Sequence, residues 1–339
     1  MTIGTPPFPG PQARLDLPPA PEQRARLPED FGRRYVIFGD AEEEFDWGAP
    51  FARDNTSTAA IASLPAATKR FNDRGCVPCY MVDYPVVNNP ESAAITRAMV
   101  ESGQCDVGTQ LHPWVNPPFE EEVNAFNSFT GNLPKDLQRS KLHALTAKIE
   151  QATGFRPVTY RAGRYGIAEH TADLLIEAGY RMDVSIRARF DYSAAGGADF
   201  SGHPIWPYRV AGPLWEAPLT AGWFGTLHRY PSLYRYPFLR GPLSRLGLLG
   251  RAALTPEDMP LADALEAIRI LLGEGHALFS LSFHTPTVEI GHTPYVRDAA
   301  DLARFWGWWD GVLDLFAREN VTPIRAHEII HALDRGAAG

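Results

Sequence analysis

The chain has 339 residues, 45% hydrophobic and 21% charged, enough for one large α/β domain or two ordinary ones with a sizeable core. Its formal net charge of -8 argues against a general nucleic-acid binder, which needs a basic surface. No run of about 18 apolar residues occurs, so no membrane span is expected, and three cysteines imply no disulfide framework.

Residues 1–33, beginning MTIGTPPFPGPQARLDLPPAP, are rich in proline and lack the basic start and apolar stretch of a signal peptide. They read as an extended or disordered arm ahead of a single domain over 34–339, and the cytoplasm is the expected location. RYVIFG (34–39) is a strand. It runs into five carboxylates within seven residues: Asp40, Glu42, Glu43, Glu44 and Asp46. The spacing then predicts a helix over 57–75, closed by Gly75, and a strand over VPCYMVDYPV (77–86). Cys76 and Cys79 have redox spacing, but a redox pair sits at a helix N-terminus. Here the pair opens an apolar run, so buried structural cysteines are expected.

A helix follows over 90–103, with Pro90 in its first turn and Gly103 after its end. DVGTQLH (106–112) is a strand, 113–132 a long loop and 134–154 a helix. The alternation continues with strand 157–163, helix 166–179, strand 181–186 and strand 213–220. Helix 260–275, strand 276–284, helix 297–320 and a last short strand, 321–326, complete it. Repeated βα units imply a parallel sheet covered by helices, and seven or eight of them fit a closed or nearly closed (β/α) barrel. Neither GxGxxG nor GxxxxGK[ST] follows the first strand, so a nucleotide fingerprint is missing.

In such a barrel, chemistry gathers at the C-terminal strand ends. Those ends carry Asp40, Asp83, His112, Arg161, Asp183, Glu216 and His284. Polar residues can simply mark where strands stop, but acids, histidines and an arginine at successive ends point to one shared site. A divalent cation would offset the repulsion in the acidic cluster and lower the pKa of a bound water. One or two of the carboxylates would face it and the rest solvent. Alternation places Glu42 on the side of Asp40 and Glu43 on the other.

FGDAEEEFDW, GTQLHPWVNPP, YRAGRYG, MDVSI and LSFHTPTVEIGHTPYVRD occur in the order of the five motifs of the polysaccharide deacetylase (NodB-homology) superfamily, carbohydrate esterase family 4, which the chain resembles over roughly residues 34 to 330. The resemblance implies a distorted (β/α) barrel and a metal-dependent hydrolase removing an N-acetyl or O-acyl group from a sugar or glycoconjugate. It implies Asp40 as base, Arg161 orienting it, a backbone N–H near Tyr165 at the oxyanion, Asp183 in the fourth motif and His284 as acid. Ala41 stands where the metal-binding acid would be, so Glu42 is the substitute. His112 keeps the second motif's first histidine. Asn116 stands at its second, and Gln110 is the other amide that can complete the set. Zinc is the expected ion, although an amide oxygen suits it less than an imidazole does.

Other features compete. HEIIH (327–331) spells a zinc-protease motif, but only ALDRGAAG follows it, and it falls where a last surface helix belongs. His292 and Tyr295 touch substrate or shape their loop. Trp114, Trp206, Trp215 and Trp223 stack on sugar rings or pack the core. FWGWWDGVLDLF has the spacing of a core helix face. A two-carboxylate glycosidase using Asp40 with Asp183 or Glu216 leaves His112 and His284 unexplained. A non-catalytic carbohydrate-binding protein with a degenerate metal site is the remaining alternative.

Overall fold

A computed structural model describes residues 13–44, 48–257 and 259–338. Asp46 of the acidic cluster and residues 1–12 of the proline-rich arm lie outside the described residues.

The strands are β1 (Arg33–Ala41), β2 (Cys79–Val82), β3 (Asp106–Leu111), β4 (Thr159–Ala162), β5 (Met182–Asp183), β6 (Tyr208–Ala211), β7 (Leu214–Glu216), β8 (Ala221–Phe224), β9 (Gly250–Ala253), β10 (Leu278–His284) and β11 (Val321–Pro323). Their main sheet runs β10-β1-β2-β3-β4-β5-β7-β6, with β11 also paired to β1. Every pairing in it is parallel except the β6–β7 hairpin. Beyond β7 the chain reaches the opposite edge, where Thr220 N donates to Ser280 O and Ser282 N to Leu254 O. Those few bonds close the ring, and the fold is the expected distorted (β/α) barrel.

Alternation along β1 divides the core into two layers. Tyr35 and Ile37 point outward to the helix Ala299–Arg318, packing with Phe305, Trp309 and Phe316. This is the apolar face read from FWGWWDGVLDLF. Val36 and Phe38 point inward with Met81, Met182 and Trp215, and the C-terminal helix Ala326–Ala338 plugs the bottom with Ile329 and Leu333. Asp40 shares the parity of Val36 and Phe38, so the strand delivers it into the top of the barrel.

The strand expected over 77–86 stops at Val82, because Asp83 caps the short helix Tyr84–Asn88 by accepting from Val86 N at 3.0 Å. Pro85 sets the first turn of that helix and ends the extended run. The helix expected over 57–75 starts as the 3₁₀ turn Ala59–Ser63 and becomes α-helical at Leu64–Asn72. Strands β6, β8 and β9 and the helix Pro237–Arg245 were not legible from apolar periodicity. Residues 13–32 lie against the body, with Leu15 buried, His203 Nε2 facing Leu15 O at 3.1 Å and Ala25 N donating to Pro207 O. Cys76, Cys79 and Cys105 are free and buried, and burial pushes Cys76 and Cys105 up to about 12, which makes them inert thiols.

Candidate functional site

The top of the barrel opens into a cleft of about 170 Å³, lined by Asp40, Glu42, Gln110, His112, Phe129, Arg161, Arg164, Tyr165, Arg187, Tyr192, His284 and Tyr295. The volume suits the reacting end of a substrate rather than a whole polymer segment. Strands β1, β3, β4 and β10 supply its polar floor.

Asp40 and Arg161 form a buried ion pair through Oδ1 and Nη1. Asp40 Oδ2 lies 4.0 Å from His284 Nε2, too far for a hydrogen bond and wide enough for a reacting atom between them. The other ring nitrogen of His284 meets Glu257 Oε2 at 2.6 Å. Glu257 Oε1 also accepts from the backbone N–H of His284 at 2.9 Å and from Thr287 Oγ1 at 2.7 Å. Burial alone would lower the His284 pKa, but the carboxylates of Glu257, Glu42 and Asp40 outweigh it and carry it up to about 10. Burial would raise Glu257, and His284 holds it below the ordinary carboxylate range instead.

Across the floor, Gln110 Nε2 donates to Glu42 Oε2 at 2.8 Å and lies 3.1 Å from His112 Nε2. His112 Nδ1 lies 2.8 Å from Glu43 Oε2, and its ring stacks on Trp114 at 4.4 Å. When Glu43 is ionised, its carboxylate keeps the proton on Nδ1 and leaves Nε2 its lone pair. Glu43 N in turn donates to Asp83 Oδ2. Burial pushes Glu42 up to about 7, against the pull of His284 and His112, and Glu43 up to about 8. Asp83 rises too, again through burial first.

Buried carboxylate and imidazole groups that can hold a metal ion are therefore present. Two groupings bring their ligand atoms within 4.8 Å of one another, Asp40 with Glu42 and His284, and Glu43 with Asp83 and His112. Glu42 Oε2 and His112 Nε2 are 3.6 Å apart. Two ligands at 2.0–2.1 Å from one tetrahedral ion stand about 3.4 Å apart, so this pair fits a shared cation. Gln110 Oε1 is buried without a partner among the described residues. Turning the amide over aims that oxygen where its NH₂ now lies, between Glu42 and His112. The donor set fits a hard or borderline divalent ion.

Several expected site residues are placed elsewhere. Asn116 does not line the cleft. Its Nδ2 donates to Lys141 O at 3.0 Å and Pro117 O at 2.8 Å, anchoring the loop after β3. Trp114 is buried behind His112, so its face serves the imidazole. His292 Nδ1 pairs with Glu44 Oε2 at 2.8 Å outside the cleft, whereas Tyr295 lies in its wall, parallel to the His284 ring at 6.4 Å. Asp183 and Glu216 are fully buried beneath the floor, and Ser185 donates to both oxygens of Asp183. Neither faces Asp40 across the cleft as a glycosidase pair would. Trp206, Trp215 and Trp223 also lie outside its lining.

The expectation that the remaining acids face solvent is corrected. Glu43 is buried against His112, and Glu44 accepts from Ala60 N and Ser57 Oγ. β1 ends at Ala41, so strict alternation no longer governs the residues beyond it. His327 and Glu328 lie on the exposed side of the last helix, Glu328 accepting from Arg325 N, at the bottom of the barrel and away from this cleft. Glu257, Arg187 and Tyr192 were missed. All three lie in loops, where no period marks them.

No family model and no curated protein matches the sequence. Solved structures do match the fold. A Mycobacterium smegmatis protein assigned as a polysaccharide deacetylase superposes with a TM-score of 0.54 at 17% identity, covering 92% of this chain and 94% of its own. The allantoinase PuuE superposes with a TM-score of 0.51 at 13% identity, covering 96% and 97%. At these identities the likeness is one of fold, and it extends over most of the chain.

Proposed function

We propose that the protein hydrolyses an amide or ester bond, removing an N-acetyl (or O-acyl) group from a sugar or glycoconjugate, with a divalent cation, zinc, as cofactor. The observation that carries this reading is the facing pair Asp40 and His284, each held by its own buried partner, Arg161 and Glu257. Asp40 is the proton acceptor. Arg161 fixes its rotamer and leaves the other carboxylate oxygen turned to the cleft. His284 is the proton donor to the departing nitrogen or oxygen, and Glu257 keeps it charged and aimed.

Glu42, His112 and the Gln110 amide oxygen would hold the ion, with Glu43 setting the His112 tautomer. When bound, the cation supplies Lewis acidity toward the acyl carbonyl and the attacking water. Arg164 and Tyr165 have φ of 55° and 58°, a left-handed pair that bends the chain after β4. The backbone N–H of Tyr165 in that turn is assigned to the developing oxyanion. Arg164 and Arg187 line the same cleft, Arg164 donating to Ser128 Oγ and Arg187 to Tyr192 Oη at 3.1 Å, which leaves both with cationic N–H groups toward it. That favours a substrate carrying an acidic group.

One observation favours a second reading, a metal-free carbohydrate-binding protein: the Gln110 NH₂ already occupies the space between Glu42 and His112. Metal analysis of the purified protein with an acetate-release screen over acetylated sugars separates the two. Bound zinc with chelator-sensitive turnover supports the hydrolase. Sugar binding with neither metal nor turnover supports the alternative.

A further inference from the structure

We propose that the segment joining β8 to β9 docks the protein on an anionic lipid surface. Residues 225–249 hold four arginines, Arg229, Arg235, Arg240 and Arg245, and no aspartate or glutamate, in a chain of net charge -8. None of the four ion-pairs with a carboxylate among the described residues. Arg235 instead lies over the Tyr236 ring, and Arg240 Nε donates to Tyr234 O.

The same segment carries bare apolar surface. Tyr230 is 62% exposed, Phe238 73% and Leu246 71%. The helix Pro237–Arg245 contains no buried residue, which is unusual for a helix of a folded domain. Phe238, Leu239, Pro242, Leu243 and Leu246 recur at helical spacing and make one apolar stripe, with Phe238, Pro242 and Leu246 exposed, Leu239 and Leu243 half-buried, and Arg240 and Arg245 on its two borders. An apolar stripe flanked by arginines is the pattern of a helix lying in a lipid interface, its apolar side among the acyl chains and its cations at anionic headgroups. At nine residues the helix is too short to cross a bilayer, so the proposed contact through it is interfacial.

Other occupants fit less well. A second copy on this face would bring together two clusters of four unpaired arginines. A sugar polymer would stack on Tyr230 and Phe238 but would leave the exposed Leu246 without a flat ring to meet. The segment also reaches the cleft. Tyr234 meets Arg251 at 5.2 Å, Arg251 lies over Phe190 at 3.5 Å, and Arg187 of the cleft wall stacks on the same ring at 4.2 Å. Docking therefore sets the cleft near the headgroup layer, where a lipid-tethered glycoconjugate would be presented. The docking itself does not depend on the hydrolase reading.

The test is co-sedimentation of the full chain with vesicles of phosphatidylcholine, alone or mixed equally with phosphatidylglycerol. The chain should sediment with the mixed vesicles at low salt, not with phosphatidylcholine alone, and release as salt screens the arginines. Phe238→Ser with Leu246→Ser should weaken partitioning by on the order of tenfold or more, since both lose the apolar area that would enter the lipid. The melting temperature should not change, because both side chains already stand in water. Arg235→Gln with Arg240→Gln should reduce the preference for the anionic vesicles. Failure to sediment with mixed vesicles at low salt overturns the proposal, as does undiminished binding by the Phe238 and Leu246 double variant. Retention on an immobilised acidic polysaccharide without vesicle binding would assign the segment to a polymer and overturn it equally.

Discussion

Glu257 grips His284 at two points, its Oε1 accepting the backbone N–H at 2.9 Å and its Oε2 meeting Nδ1 at 2.6 Å. The two contacts fix both the position of the residue and the angle of its ring. They also leave Nε2 as the nitrogen that faces Asp40.

The pair has a defined pH signature. The His284 pKa is raised to about 10, so its contribution to stability is fully present below the unfolded value of about 6.5 and is lost as pH rises through about 10. Glu257 is lowered, so its contribution is present above the ordinary carboxylate pKa and is lost as pH falls through its own depressed value. Glu257→Gln removes the main charge that raises His284. The alkaline limb of the pH–rate profile should then move from near 10 toward about 6.5. A limb that stays in place would remove His284 from the proton-donor role.

Asp40→Asn keeps the shape of the side chain and removes its basicity. Turnover should fall by about a hundredfold or more, while metal content measured on the same preparation stays that of the wild type. Near-normal turnover would take Asp40 out of the mechanism.

The third ligand is separable by zinc titration. Gln110→His should tighten zinc binding, because an imidazole is a better donor than an amide oxygen to a borderline ion. Asn116→His should not tighten it, because Asn116 Nδ2 is committed to the Lys141 and Pro117 carbonyls away from the cleft. The opposite order of affinities would return Asn116 to the metal shell.

Gly163 lies directly behind His112. A Cβ there would collide with His112 Cδ2 and stand 2.7 Å from Leu111 O. Gly163→Ala should push the imidazole out of line, and turnover should drop on the order of a hundredfold, the cost of an ångström's misplacement at a reacting centre. A crystal structure of the variant with His112 unmoved would contradict this.

Lys141 is a buried ammonium that donates to Pro113 O, Asn116 O and Pro118 O at 2.6–3.0 Å and pairs with Glu121 at 3.0 Å. It ties the loop after His112 into one piece. Lys141→Met leaves three carbonyls and a buried carboxylate without that partner, so the unfolding free energy should fall by about 3 kcal/mol. Denaturant titration measures it, and a change under 1 kcal/mol would show that water replaces the ammonium easily.

How much of the site was legible follows from where each residue sits. Asp40, His112, Arg161 and His284 end or abut parallel strands, and a strand's parity fixes which way such residues point, so they could be read before the fold was seen. Gln110 and His112 share a face of one strand and its continuation for the same reason. The strand over 77–86 reads as too long because VPCYMVDYPV conceals a helix start at Asp83 inside an apolar run, which Pro85 makes compatible with either reading. Glu257 and Arg187 lie on irregular backbone. Only the three-dimensional return of the chain brings them to the cleft, and no local pattern encodes that return. Glu43 went astray because the period-two rule was extended past the end of its strand.

The central position of β1 sets the order in which the chain can be assembled. Arg34 pairs with Leu278 and Arg33 with Val321, so β1 is completed by strands that lie far downstream of it in the chain. During synthesis it carries Asp40, Glu42 and Glu43 next to an apolar edge that has no neighbour on one side until residue 278 and beyond have emerged. Pairings this distant in sequence form slowly, and an open edge invites other chains to add to it. The closely spaced carboxylates at the end of β1 repel such additions while the edge is bare. The same charges that require compensation in the finished cleft are hydrated and mutually repelling wherever that edge is bare.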